Sequence, residues 1–359
     1  MVSMKPRLAR LFAYAKVNHI LLINTDREDS NFLYVTGFKG GMFEGTVLLV
    51  RKNSMTLFCS PLEYGLAKTQ KPKEMKIVLL NKSGMLREAL KKELKGKKVG
   101  INGSFMPYNV YKTLSSKVKA RLVDVSEKMS QARLVKDETE LKNMRKAIMV
   151  TKKALVAGKA ALKVGMTETQ VAAAIDSKML QMGTVPAFTS IVAFDSNSAL
   201  PHHAPGGARL KPNSIVLFDI GARYNNYCGD MTRTFMFKPK KSSEKYKRLM
   251  EMYNTVLKAQ SLALSKIKEG APGSAAHNAA DAYINNYKNG IYKGKFIHSL
   301  GHSIGIDVHD GGAGLYPSCK TKLKANMVFS DEPGIYIEGF GGVRIEDDVL
   351  VAKGASKFL

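Results

Sequence analysis

Two stretches of this sequence place carboxylates where a hairpin would bring them together in pairs. In residues 213–237, NSIVLFDIGARYNNYCGDMTRTFMF, an apolar run, an Asn-containing polar turn and a run of Thr, Phe and Met read as a β-hairpin. A turn centred between Tyr224 and Asn225 sets Asp219 opposite Asp230 on one face, with Cβ atoms roughly 4.5–5.5 Å apart. In residues 328–351, VFSDEPGIYIEGFGGVRIEDDVLV, Glu332 and Glu346 are symmetric about Gly339 and share a face in the same way. Like charges so close repel unless a cation or a proton lies between them. One acidic pair on a strand is ordinarily a surface feature or a salt-bridge partner. Two pairs on separate hairpins point to a metal site.

A third stretch, FIHSLGHSIGIDVHD (296–310), reads as a strand in which His298, His302 and His309 alternate with glycines and aliphatics. Small residues let the backbone approach other groups closely. A fourth, ALPHHAPGG (199–207), holds His202 and His203 in a Pro- and Gly-bounded loop suited to lining a cleft. Hard oxygen donors with an imidazole suit Mn²⁺, Co²⁺, Zn²⁺ or Fe²⁺. Four carboxylates offset about four positive charges, which matches two divalent ions. Such a pair activates water and stabilises a developing oxyanion, so hydrolysis is the expected chemistry.

These residues need elements to hold them. The N-terminal part alternates buried strands (HILLINT, GTVLLVR, MKIVLLN, KKVGING) with the amphipathic helix SGMLREALKKEL, which predicts an α/β domain over residues 1–126. The segment LVKDETELKNMRKAIMVTKKALVAGKAAL predicts a long helix with acidic residues at its start and basic ones later, as the helix dipole favours. A second domain is therefore expected over 127–359. Within it, 154–183 and 257–290 repeat an order of Ala-rich helix, Gly-containing turn and second helix, each followed by strand-like sequence. That echo predicts two similar halves facing across a pseudo-two-fold axis, with a site between them.

Composition sets limits on the rest. A chain of 359 residues with 45% hydrophobic and 24% charged residues has ample apolar surface for two globular domains. The net charge is +26; residues 1–125 carry 23 Lys and Arg against 9 Asp and Glu, and the remainder 33 against 21. Runs such as KKELKGKK (91–98) alternate with apolar residues like a solvated helix face. The charge is thus assigned to surface, with a catalytically silent basic module for nucleic acid as the contrasting reading. Cys59, Cys228 and Cys319 lack zinc or redox spacing. No leader pattern or run of ~18 apolar residues is evident, so a cytoplasmic protein without membrane insertion is expected.

At ALPHHAP, LFDIGARYNNYCGDMTRTF, HSLGHSIGIDVHD, DEPGIYIEGFGGVRIEDDVLV and RLVKDETELKNMRKA the sequence closely resembles the pita-bread metallopeptidases, which include methionine aminopeptidase, Xaa-Pro aminopeptidase and Xaa-Pro dipeptidase (prolidase). The N-terminal segment NFLYVTGF resembles the proline-peptidase branch. The resemblance implies an α+β fold: a pita-bread catalytic domain with pseudo-two-fold symmetric halves, preceded by a smaller α/β domain of the creatinase/prolidase type. It further implies metal-dependent hydrolysis of Xaa-Pro bonds at the N-termini of small peptides, and a homodimer. Residue by residue, it makes Asp219 a ligand of one metal, Asp230 and Glu346 bridging ligands, and His302 and Glu332 ligands of the other. Glu332 would double as general base, His309 would hydrogen-bond the tetrahedral intermediate, and His202 and His298 would line the substrate site. The chain departs from many short prolidases at Ala313, where those carry an arginine for the dipeptide carboxylate. With Asp331 preceding Glu332 in DEPG, this leans the expectation towards Xaa-Pro aminopeptidase, with the dipeptidase as alternative.

Overall fold

The computed structural model describes residues 3–359. The chain divides into two compact units, 1–133 and 134–359. In the first, strands β1 (Ile20–Ile23), β2 (Val47–Arg51), β3 (Ser54–Cys59), β4 (Met75–Leu79), β5 (Lys98–Ile101) and β6 (Arg121–Asp124) form one sheet in the order β4-β3-β2-β1-β5-β6. Pairing is antiparallel among β1, β2 and β3 and parallel elsewhere. Helices α1 (Lys5–Ala15), α2 (Ser30–Thr36), α3 (Pro61–Gln70), α4 (Met85–Leu94) and α5 (Tyr108–Val118) accompany it. This is the α/β arrangement that the alternating pattern predicts. Helix α6 (Ser126–Leu134) buries Met129 and Ala132 and receives a hydrogen bond from Tyr34 Oη at the Ala132 carbonyl. The division consequently falls at the end of α6, between Arg133 and Leu134.

The second unit opens with α7 (Glu138–Ala161), started by a capping box in which Asp137 and Glu140 satisfy each other's backbone N–H groups. Its buried face, Leu141, Met144, Ile148, Thr151, Ala154 and Gly158, follows helical spacing. Gly158 is required by the crossing with α8 (Glu168–Gln181), because a Cβ there would collide with Ile175. After this helix pair come β7 (Val185–Pro186), β8 (Ile191–Phe194), β9 (Ser214–Ile220), β10 (Ala222–Tyr224), β11 (Tyr227–Cys228) and β12 (Met231–Phe237). The chain then repeats the theme. The pair α9 (Glu244–Lys266) and α10 (Ser274–Asn286) precedes β13 (Gly301–His302), β14 (Gly314–Leu315), β15 (Val328–Asp331), β16 (Gly334–Ile337), β17 (Gly341–Arg344), β18 (Asp347–Leu350) and β19 (Lys357–Phe358). Each half has its own core: α7, α8, β8, β9 and β12 share one apolar cluster, and α9 and α10 pack with β15, β17 and β18 in another. The unit is thus the pita-bread domain, with two similar halves.

Among the described residues no helix is long and apolar enough to cross a membrane. All three cysteines are buried free thiols.

Candidate metal centre

The first hairpin differs from its predicted register. Asp219 faces Thr232, and Arg223 faces Cys228, so the turn is centred between Asn225 and Asn226 and Asp230 lies diagonal to Asp219. The cause is turn chemistry. Asn225 and Asn226 both adopt positive φ, 46° and 69°, which the right-handed twist of a two-residue hairpin loop demands and which asparagine tolerates. A shift of two index positions keeps side chains on the same face, so both aspartates still point one way.

The second hairpin keeps the predicted register. Asp331 faces Asp347 on one side of a break in the ladder and Gly334 faces Arg344 on the other; carrying that register through the break sets Glu332 against Glu346. The alternation places Ser330, Tyr336, Arg344 and Asp348 on the same face. Asp331 and Asp347 point to the other, where Gln260 of α9 donates to the Asp331 carbonyl and the Asp347 carboxylate.

The histidine-rich stretch is not a continuous strand. Only Gly301–His302 is strand, paired with β14, and one further bridge joins Ser303 to Phe329. The segment lies along β15 in fragments: Glu332 N donates to the Leu300 carbonyl, His302 N to Ser330 Oγ, and Ile304 N to the Val328 carbonyl. A Cβ at Gly301 would strike the Ser330 carbonyl, so glycine permits this approach and brings His302 over the acidic face. His277 of α10 supports the segment from behind, its Nδ1 accepting from Leu300 N at 3.1 Å. Burial lowers the pKa of His277, which keeps that acceptor neutral.

On the shared face, one ligand atom each from Asp230, His302 and Glu346 lie within 4.8 Å of one another. His302 Nε2 is 3.3 Å from Glu332 Oε1 and 3.9 Å from Asp230 Oδ2. The Ser303 carbonyl accepts from His302 Nδ1 at 3.3 Å, which leaves Nε2 turned to the carboxylates. Ser330 Oγ donates to Glu332 Oε1 at 3.0 Å, Thr232 Oγ1 to Glu346 Oε2 at 2.6 Å, and Asp230 N to Asp348 Oδ2 at 3.0 Å. Arg344, almost wholly buried, donates to Asp219 Oδ2 at 2.6 Å, Thr232 Oγ1 at 3.1 Å and Tyr336 Oη at 2.8 Å. Tyr336 Oη in turn meets His298 Nε2 at 2.8 Å, while His298 Nδ1 donates to the Ser299 carbonyl at 2.7 Å.

Electrostatics mark the face as overloaded with negative charge. Burial, then Glu346 and Asp219, push the Asp230 carboxyl well above the usual range. Burial, then Glu332 and Asp219, do the same to Glu346. Asp219 is raised by burial against the pull of Arg344, and Asp348 rises to about 7, chiefly through burial. Glu332 and His302 move in opposite directions. Burial opposes both charges, but their mutual hydrogen bond and attraction outweigh it, lowering Glu332 and raising His302. Burial lowers His298, and burial with neighbouring His302 lowers His309. His202 bears on the protonation of both, and the His309 ring stands 4.2 Å from that of His302.

A cation fits this donor set. Asp219 Oδ1 and Asp230 Oδ1 are buried without a hydrogen-bond partner, a costly state for a carboxylate that a positive charge would relieve. Sequence reading missed Arg344, Tyr336, Thr232 and Asp348, although the period-two alternation that placed Glu332 and Glu346 places Arg344, Tyr336 and Asp348 with them.

The loop bearing His309 is held from below by a buried ion pair, Lys136 Nζ to Asp310 Oδ2 at 2.9 Å, with both side chains under 3% exposed. Asp310 N also donates to the Ser303 carbonyl. Lys136→Met takes a positive charge from beside a buried carboxylate and is expected to lower stability by about 3–5 kcal/mol. Denaturant unfolding measures this, and a loss below ~1 kcal/mol would show that the pair carries little.

A two-halved α+β fold with buried carboxylates and an imidazole converging on one face defines a class, enzymes that hold divalent cations for hydrolysis. Residues 142–353 match the model of metallopeptidase family M24, and residues 7–135 that of the creatinase/prolidase N-terminal domain; the chain belongs to metallopeptidase family M24. It is 33% identical to an Xaa-Pro dipeptidase of Pyrococcus horikoshii, over 92% of this chain and 90% of the relative. Among solved structures, the prolidase from P. horikoshii superposes with a TM-score of 0.86 at 31% identity, covering 99% of this chain and 97% of that one. The X-Pro aminopeptidase from Thermotoga maritima gives 0.86 at 28%, covering 97% of each.

Proposed function

We propose that the protein hydrolyses the Xaa-Pro bond of small peptides with two divalent ions held by Asp219, Asp230, His302, Glu332 and Glu346. The observation that carries this is the Asp230, His302 and Glu346 donor group beside the unpartnered oxygens of Asp219 and Asp230. The ions, when bound, supply Lewis acidity that makes water a nucleophile near neutral pH and stabilises negative charge on the scissile carbonyl. In this reading Asp230 and Glu346 would help to hold both ions. Glu332 accepts the proton from attacking water, its carboxylate kept available by a pKa below the usual value. His309 donates to the developing oxyanion. His202 and His298 line the substrate site, and Tyr336 fixes the orientation of His298. Thr232 and Asp348 orient Glu346 and Asp230, while Arg344 orients Asp219. The chain is read as a homodimer, and Mn²⁺, Co²⁺, Zn²⁺ and Fe²⁺ are the ions to try.

Two substrate lengths fall within this reading. The named dipeptidase relatives favour the Xaa-Pro dipeptide, whereas Ala313 brings no cation to a dipeptide's free carboxylate, which favours Xaa-Pro-Yaa. A metal-titrated comparison of kcat/KM on matched dipeptide and tripeptide tests both. Preference for the tripeptide assigns an aminopeptidase, preference for the dipeptide assigns a prolidase, and inactivity on both overturns the reaction.

A further inference from the structure

Outside the acidic face, the second unit holds a carboxylate that the reaction does not use. Glu168, the first residue of α8, is completely buried, yet both its oxygens are doubly engaged. Oε1 accepts from Phe194 N at 2.8 Å and Asn197 Nδ2 at 2.9 Å; Oε2 meets His203 Nε2 at 2.8 Å and accepts from Gly206 N at 2.9 Å. Four partners around one carboxylate satisfy it fully, and the helix N-terminus favours its negative charge. All four come from residues 194–206. One side chain thereby gathers both ends of the loop that carries His202.

The middle of that loop rests on the second hairpin. Ser198 Oγ accepts from Gly342 N at 2.8 Å, and a Cβ at Gly342 would strike the Ser198 carbonyl. Asp195 is in the left-handed region, φ 51°, held there by Ile215 N at 2.8 Å, Ser214 Oγ at 2.9 Å and Lys245 Nζ at 2.7 Å. His202 itself is exposed and its side chain makes no hydrogen bond among the described residues, whereas its neighbour His203 is tied to Glu168 with a side chain 14% exposed. The position of His202 is therefore set through its backbone, by the residues on either side.

We propose that Glu168 and His203 are positioning residues: the Glu168 carboxylate clamps loop 194–206 and, through His203, fixes where the His202 imidazole meets the peptide substrate. The proposal rests on the Xaa-Pro reading for the role of His202, but the clamp itself is a property of the fold. A carboxamide at 168 keeps the volume and loses an acceptor, so at least one backbone N–H is left unpaired. His203→Ala removes a single bond at a partly exposed position and spares the folded state if Glu168→Gln does not.

Two measurements on the 359-residue chain decide it. In hydrogen exchange, both variants are expected to speed exchange at the Phe194 and Gly206 amides at least about tenfold, with α7, α9 and β15 unchanged. Exchange already unprotected in the wild type, or unaltered in both variants, overturns the clamp. In kinetics on an Xaa-Pro peptide with saturating Mn²⁺, Glu168→Gln is expected to lower kcat/KM by roughly 10–100-fold, the scale of a misplaced substrate contact. KM should rise as well, whereas a merely reduced folded fraction would lower apparent kcat at constant KM. Placed in a His202→Ala background, Glu168→Gln should cost less than about threefold, because its effect passes through that imidazole. Full additivity of the two losses would sink the positioning role. Wild-type inactivity on every Xaa-Pro peptide would instead remove the proposed reaction, and the exchange result would still decide the clamp.

Discussion

Exhaustive chelation is expected to lower peptide hydrolysis at least ~10³-fold, and excess divalent ion is expected to restore it. A bound Lewis acid supplies several kcal/mol of transition-state stabilisation, each 1.36 kcal/mol being tenfold in rate. The protein supplies the reason for the dependence. Asp219, Asp230, Glu332 and Glu346 crowd one buried face, and Asp230 and Glu346 are pushed well above their ordinary pKa by burial first and then by neighbouring carboxylates, Glu346 and Asp219 acting on Asp230, and Glu332 and Asp219 on Glu346. Without a cation the crowding of these carboxylates is left uncompensated, and no Lewis acid is present to polarise a carbonyl. Stability gives a second readout. An ion that binds only the folded chain stabilises it by about 2.7 kcal/mol at a concentration a hundredfold above its dissociation constant, so the unfolding midpoint should rise on metal addition. Undiminished turnover after chelation, with metal content verified as negligible, would exclude the mechanism.

How far the sequence foretold this face depended on which physics governed each element. The Glu332–Glu346 pairing was legible because the glycine-rich turn is symmetric about Gly339 and a strand alternates with period two. The Asp219–Asp230 register was not, because two consecutive asparagines taking positive φ moved the turn by one residue; the face survived only because the resulting shift is an even number of positions. The 296–310 stretch looked like a strand by composition. Its path along β15 is fixed by backbone approaches at Gly301 and by His277 on a distant helix, neither of which local pattern encodes. Arg344 lies on the face that the alternation identifies, but its partner Asp219 is 125 residues away in sequence, and local pattern does not encode that contact. Glu168 was legible only as a helix start. Its four partners lie 26 to 38 residues away in sequence, and tertiary folding alone brings them to it. The long helix α7 was readable from the acidic residues at its start and the basic ones further along, a signal that is local, whereas its capping box and buried face come from the structure.

Replacing Glu332 by Gln is expected to lower kcat by about 10³-fold or more while leaving the fold intact. The substitution is isosteric, Ser330 Oγ can still donate to the side-chain oxygen that it bonds at 3.0 Å, and Glu332 N keeps its bond to the Leu300 carbonyl. What disappears is the proton acceptor. General-base catalysis contributes typically 10²–10⁴-fold, and the variant also loses one negative charge from the donor set. Those two causes separate experimentally. If Glu332 acts as base, saturating metal leaves the rate low although bound metal per chain returns to the wild-type value; if it served only as a ligand, saturating metal would recover most of the activity. His302 offers an internal control, because Glu332 is the main reason its pKa is raised. In the metal-free Gln variant the His302 titration should therefore fall, a shift visible by NMR. A Gln variant that turns over peptide at near-normal rate would strip Glu332 of the role of base and pass it to another group on the same face.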